Sequence, residues 1–237
     1  MALVTGGARR VGRALSLALA EAGADLVVGY HRSASDADTL VEEVRALGRR
    51  AVAVQGDVAS KTDVDALVRA CEAAFGRLDI LVNNAAGFES APFLEITEEE
   101  WDRVMAVNLK GPFLLSQAAT PLLRAHGDGI IVNIADLAGL QAWPGYAHHG
   151  ASKAGLIHLT RVAARALAPE IRVAAIAPGT VLPPETFTEE QVYKLREAIP
   201  LKRIGSPDDV AEALLYLVRS DFVTGIVIPV DGGRLLV

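Results

Sequence analysis

The sequence predicts an α/β protein, a doubly wound three-layer sandwich built around a parallel sheet. Three observations predict it. Short apolar runs without polar alternation recur along the chain, stretches with helical spacing lie between them, and a glycine-rich turn joins the first run to the first helix. Strands buried on both faces have this unbroken apolar character, which a parallel sheet covered by helices on both sides requires.

In chain order, residues 2–5 form the first strand, and a glycine turn leads into a helix over 11–22. Strand 25–29 precedes helix 37–47, and strand 51–55 precedes helix 61–75. Strand 80–83 opens onto a long helical stretch, 98–125, and strand 130–134 onto a second, 146–168. Strand 172–176, helix 207–218 and strand 226–230 complete a seven-stranded pattern. Only residues 179–200 break the alternation: Pro183 and Pro184 stand together, an acidic patch comes next, and a short helix fits 189–198. This excursion has the character of a substrate lid, or more plainly of a surface loop.

Composition narrows the class. The 237 residues are 51% hydrophobic and 22% charged, with 21 glycines, 11 prolines and one cysteine. So much apolar surface excludes a disordered chain, and Cys71 without a partner excludes a disulfide scaffold. No apolar run reaches the roughly 18 residues of a membrane span. Residues 1–5 are too short for the apolar part of a signal peptide, so the expected compartment is the cytoplasm. A net charge of −6 argues against a nucleic-acid partner, so any anion site must be local. No linker or repeat divides the chain, and residues 1–237 read as one domain.

The local anion site is the turn Thr5-Gly6-Gly7-Ala8-Arg9-Arg10-Val11-Gly12. Its glycines permit a tight strand-to-helix turn, and the amides at the helix start can receive a pyrophosphate. About 20 residues on, an acidic side chain would bind the ribose of NAD. His31, Arg32 and Ser33 stand there instead, a cationic and hydroxyl-bearing set suited to the 2′-phosphate of NADP(H), with Arg10 as a second positive contact. The plainer alternative makes both arginines solvated surface residues. Asp57-Val58 and Asn83-Asn84-Ala85-Ala86-Gly87 come after the third and fourth strands, where small and amide side chains let a flat ring and a ribose approach the backbone.

With these motifs, and with Asn108 in Val107-Asn108-Leu109, Ser152-Lys153-Ala154, Pro178-Gly179 and Asp231-Gly232-Gly233, the chain resembles the short-chain dehydrogenases/reductases along essentially its whole length. The resemblance implies a Rossmann-type doubly wound sandwich, hydride exchange between a nicotinamide and a small-molecule substrate, and a homotetramer. It also implies cofactor contacts from Gly6, Arg9, Val11, Gly12, Asp57, Val58, Asn84, Ala85, Ala86, Lys153, Pro178 and Gly179. Within the family the chain is most similar to the pteridine reductases: Arg10 replaces a glycine, His31-Arg32-Ser33-Ala34 comes after the second strand, Asp136 stands at the usual serine, and Phe88 succeeds the Asn-Asn turn. Arg10 and Phe88 thereby inherit the role of holding a pterin, which a planar guanidinium and an aromatic face suit. Phe88 as ordinary packing is the alternative.

One position departs from the family. A tyrosine is expected four residues before the lysine, one helical turn away, and Lys153 instead has His149 there. Three readings stand side by side. His149 acts as the acid, with Lys153 favouring a neutral ring and Asp136 a charged one. Tyr146 supplies a hydroxyl from two helical turns before Lys153. Or the protein binds a dinucleotide without reducing anything, and His149 is structural. Asp136, thirteen residues before His149, relays a proton or binds the substrate, its plainer role being a loop cap. Asn108 matches the residue that holds a relay water through a helix distortion. His148 and His158 read as packing or solvent residues, and no metal-ligand spacing occurs. Gly150, Ala151, Ala154 and Gly155, like the apolar tail 234–237, suit a subunit interface or simple packing. The leading reading is an NADPH-dependent reductase of a pterin, dihydropterin or similar conjugated carbonyl or imine. The alternatives are a 3-oxoacyl-thioester or other ketone reductase and, from another class, an NADP-binding sensor or partner protein without catalysis.

Overall fold

A computed structural model describes residues 1–125, 127–183 and 187–237. Its seven strands are β1 (Ala2–Thr5), β2 (Leu26–Tyr30), β3 (Ala51–Gln55), β4 (Ile80–Asn83), β5 (Gly129–Ile134), β6 (Ile171–Pro178) and β7 (Val227–Val230). All pair in parallel, in the order β3-β2-β1-β4-β5-β6-β7. The strand order reverses between β1 and β4, and the crevice beyond their C-terminal ends is where such a sheet binds ligands.

The strands read as continuous apolar runs because both faces are covered. Along β1 and β2, Ala2, Val4, Leu26 and Val28 enter the core under α1 (Arg10–Glu21), α2 (Ala34–Ala46) and α8 (Pro207–Arg219). Leu3 and Val27 enter the opposite core, under α3 (Lys61–Phe75), α5 (Gly111–Arg124) and α6 (Ala147–Leu167). Successive side chains point to opposite sides of a strand, so a sheet sandwiched between two helical layers needs apolar residues at every position.

Two predicted helix boundaries shift in ways that matter for the site. The helix predicted over 98–125 is broken into α4 (Glu98–Met105), a π-helical turn (Ala106–Lys110) and α5. Pro112 has no amide proton to return to the carbonyl of Asn108, so the regular ladder cannot run through, and a wider turn absorbs the mismatch. The helix predicted from 146 starts one residue later: Tyr146 is the N-cap of α6, with φ −135° and ψ 36°. The two-turn spacing expected to align Tyr146 with Lys153 therefore does not apply, because Tyr146 lies outside the helix. Finally, two 3-10 turns, Leu137–Gly139 and Pro144–Tyr146, fill the connection between β5 and α6.

In the predicted lid, α7 (Glu189–Glu197) opens with Thr188 accepting from the Gln191 amide, and Gln191 caps Thr188 in return. Pro184 lies with residues 185 and 186 outside the described residues. No helix among the described residues is long and apolar enough to cross a membrane, and no group of three or more His, Cys, Asp or Glu among them is placed to hold a metal ion.

Candidate active site

Two neighbouring regions make the site, and the first is a cleft at the ends of β1, β2 and β3. It encloses about 290 Å³ and is lined by Gly6, Arg9, His31, Arg32, Ser33, Asp57, Val58, Ala85 and Ala86 among others. Gly6 has φ +59°, and a Cβ on Gly12 would collide with the Gly6 carbonyl oxygen and come within 2.6 Å of Asn84 Nδ2, so the turn closes only around glycine. Asn84 clamps it: Nδ2 donates to the carbonyls of Thr5 (2.9 Å) and Gly6 (3.1 Å). Thr5 Oγ1 accepts from the amides of Asn84 (3.1 Å) and Ala85 (3.2 Å). Asn84 thus shapes the turn from behind.

Cationic groups in this cleft are accessible. Among the described residues, the side chains of His31 and Arg32 have no hydrogen-bond partner in the protein, and Ser33 does not cap α2 with its hydroxyl. Arg9 lies 3.6 Å from Asp36 across the cleft edge, with both side chains largely exposed. Arg10 turns elsewhere. It adopts φ +51° and its Nη2 donates to the carbonyl of Leu182 at 3.1 Å, toward the 179–183 segment. Arg9 rather than Arg10 therefore lines the cleft beside Arg32. Val11 packs on the core under α1, and Gly179 sits tightly against Asp231, where a Cβ would come within 2.8 Å of the aspartate Cβ. Pro178 ends β6 directly before it.

The second region is a buried polar corner where α6, the π turn, the end of β5 and the loop after β4 meet. Lys153 is buried, and Nζ donates to the carbonyl of Ile134 at 2.8 Å. Burial pushes its ammonium down to about 8, with the Asp136 carboxylate opposing that shift. One turn earlier, His149 is only 2% exposed. Its Nδ1 lies 3.2 Å from the carbonyl oxygen of Gly87, and its buried Nε2 has no hydrogen-bond partner among the described residues and lies 3.7 Å from Asp136 Oδ2. The other Asp136 oxygen accepts from the Ala138 amide at 2.7 Å, so the carboxylate both caps the turn and faces the imidazole. Asn108, fully buried in the π turn, exchanges two hydrogen bonds with the Gly87 backbone, at 2.8 and 3.0 Å.

Aromatic rings border the corner. Phe88 stacks on Tyr146 with centroids 4.8 Å apart and meets His149 edge-on, also at 4.8 Å. Trp143 meets Tyr146 edge-on at 5.9 Å. Phe88 is 57% exposed, so one face of the ring stays open. Tyr146 itself lies 6.4 Å from His149 between ring centroids.

Asp136, His149, Lys153 and Asn108, the residues that the sequence assigns to catalysis beside Tyr146, come together in this corner. Ser152 joins them without having been assigned a role: its hydroxyl accepts from Asn108 Nδ2 at 3.1 Å and donates to the His149 carbonyl at 2.7 Å. It stands three residues after His149, the helical spacing that could have disclosed it. The Gly87 carbonyl, a backbone group, left no signal in side-chain identity.

This assembly of glycine turn, π-turn asparagine and buried lysine places the chain in the short-chain dehydrogenase/reductase family, to which it belongs: the family model described as enoyl-(acyl carrier protein) reductase matches residues 6–234. A 3-oxoacyl-[acyl-carrier-protein] reductase of Staphylococcus epidermidis is 38% identical over 237 residues, covering 98% of this chain and 97% of its own. The corresponding reductase of Synechocystis is also 38% identical, covering 100% of this chain and 97% of its own. Among solved structures, a putative short-chain alcohol dehydrogenase from Sinorhizobium meliloti superimposes with a TM-score of 0.93 at 36% identity, covering 99% of this chain and 96% of that one. The chain is thus a short-chain oxidoreductase of Rossmann type. These relatives carry names of ketone and alcohol chemistry, so the expected closeness to pteridine reductases finds no support in them.

Proposed function

We propose that the protein is an NADP(H)-dependent ketone reductase in which His149 delivers the proton, with 3-oxoacyl thioesters as the first substrate class. The observation that carries the reading is the unpartnered, buried Nε2 of His149, aimed at Asp136 and one helical turn from Lys153. A buried polar atom without a partner costs stability, on the order of 1–3 kcal/mol, and a bound ligand is one way to supply the missing partner.

The residues present fit a dinucleotide. The glycine turn leaves no room for a Cβ on Gly12, and the His31 and Arg32 side chains, unpaired among the described residues, offer with Ser33 and Arg9 donors for a phosphate on the adenosine ribose. Lys153, held by the Ile134 carbonyl, would bind the nicotinamide ribose. When bound, the reduced nicotinamide supplies a hydride to the carbonyl carbon. Asp136 Oδ2, 3.7 Å from His149 Nε2, lies on the side of the ring from which the proton would leave. Phe88 and Tyr146 stack along the border of the corner.

Thioester substrates are favoured by the names of the relatives. The open face of Phe88 beside His149 favours a second reading, a flat heterocycle such as a dihydropterin. Steady-state assays with NADPH decide between them: turnover of 3-oxoacyl thioesters and not of dihydropterins is expected. NADPH binding with no turnover of either class would instead favour a non-catalytic sensor. A homotetramer belongs to the same proposal, supported by the exposed Leu236 and Val237 and the exposed Ala151 and Ala154 on α6.

A further inference from the structure

We infer that Ser152 is a positioning residue that, through Asn108, locks His149 in the tautomer carrying its proton on Nδ1, leaving Nε2 as the ring's only atom able to exchange a proton with substrate. The inference rests on the reading of His149 as proton donor.

The Asn108 amide has a fixed orientation. Its Oδ1 accepts from the Gly87 amide at 2.8 Å and its Nδ2 donates to the Gly87 carbonyl at 3.0 Å. Turning the amide over would set donor against donor and acceptor against acceptor, losing both bonds. The second Nδ2 proton goes to Ser152 Oγ at 3.1 Å. That oxygen is free to accept, because its own proton is committed to the His149 carbonyl at 2.7 Å. Both protons of Nδ2 are therefore used. The imidazole Nδ1 lies 3.4 Å from Nδ2, which has nothing left to donate to it, and 3.2 Å from the Gly87 oxygen, which can only accept. A lone pair on Nδ1 would face that carbonyl oxygen and be repelled; a proton there is hydrogen-bonded. Ser152 and Asn108 are both fully buried, so water does not offer an alternative partner.

With Nδ1 protonated, the neutral ring has its lone pair on Nε2, which at 3.7 Å from Asp136 Oδ2 lies beyond hydrogen-bond distance, unlike Nδ1 at 3.2 Å from the Gly87 oxygen. The ring donates from Nε2 only as imidazolium. In the reducing direction the carbonyl π pair moves onto oxygen as its carbon takes up the hydride, the oxygen takes the Nε2 proton, and a neutral ring remains with its Nδ1 proton in place. The reverse reaction begins from that neutral ring as a base. Asp136 at the end of β5 faces the ring, and the Tyr146 ring at the α6 cap meets it edge-on.

The test is nitrogen NMR of protein labelled with 15N-histidine. The chain has five histidines, and loss of one set of signals in His149→Phe assigns the ring. In the neutral ring, a protonated Nδ1 and an unprotonated Nε2 are expected; a proton on Nε2 in the wild-type protein overturns the inference. Ser152→Ala is expected to give a mixture of tautomers and a kcat about tenfold lower with KM for NADPH unchanged, the loss of one neutral hydrogen bond. Ser152→Thr, which keeps the hydroxyl, is expected to restore both readouts. A wild-type tautomer pattern and kcat in Ser152→Ala would remove the role of Ser152, and should that variant not fold, the wild-type spectrum still decides. The underlying reading fails separately: His149→Phe turning over like wild type would refute His149 as donor whatever the tautomer.

Discussion

The glycine-lined cleft and the buried polar corner lie side by side, yet they are built by different means. The cleft is made of backbone: glycines without side chains, a clamp from Asn84 to two carbonyls, and cations left accessible at its edge. The corner is made of buried side chains, each with a prescribed partner, drawn from four separate segments. A site made by leaving atoms out is sensitive to bulk and tolerant of chemistry, whereas a site of paired buried polar groups is sensitive to chemistry even where bulk is conserved.

Four substitutions put that contrast at risk, and the largest effect is expected in the cleft. Gly12→Ala forces a methyl into the Gly6 carbonyl, and a loss of about 2–4 kcal/mol of stability with collapse of NADPH binding is expected from thermal unfolding and fluorescence titration. Normal binding would show that bulk does not govern the turn.

In the corner, His149→Phe keeps much of the volume and removes the chemistry. Turnover is expected to drop about 10²- to 10⁴-fold with little change in NADPH affinity, measured by kcat and by equilibrium titration. A parallel loss of affinity would mean that the two regions are not separable.

Lys153 tests the corner through pH. Its ammonium is held down to about 8, so between that value and the ordinary lysine range the unfolded chain binds more protons than the folded one. Stability attributable to this group therefore rises as pH increases through that window, and its penalty is fully present below it. The expected sign is that Lys153→Met is more stable than wild type by about 3 kcal/mol at neutral pH in the absence of cofactor, with the gap closing toward pH 10. A gap that stays constant across the window would contradict the burial of a charged amine.

The smallest effect belongs to a single accessible cation. Arg32→Ala is expected to weaken NADPH about tenfold, roughly 1.5 kcal/mol for one charge-assisted hydrogen bond, and to leave NADH unchanged, as paired titrations would show. Equal weakening of both would deny the cleft its proposed phosphate.

The same contrast explains what was legible in the sequence. Strand runs, helix spacing and the glycine turn are local patterns, and they suffice to place all seven strands and the cleft residues Gly6, His31, Arg32 and Ser33. Arg9 and Arg10 are adjacent, and only the positive φ of Arg10 decides that its neighbour faces the cleft, a backbone property that residue identity does not disclose. His149 and Asp136 were legible as an offset, but their 3.7 Å approach depends on where the turn after β5 ends. Tyr146 shows the limit most clearly: one residue of helix boundary separates a hydroxyl in line with Lys153 from an aromatic cap stacked on Phe88.

The π turn over Ala106–Lys110 has a consequence for how the chain tolerates insertion and deletion. Each residue of a helix turns the remainder of that helix by about 100°, so α4 and α5 are two rods set out of phase. Deleting one residue here would re-phase α5 against α4 and ruin the protein. Asn108 would swing away from Gly87, and Leu115, Ala119 and Leu123 would rotate off the face they share with α3. An apparent irregularity of the backbone thus acts as a phase setting, and the buried polar corner and one half of the core are tuned to the same value.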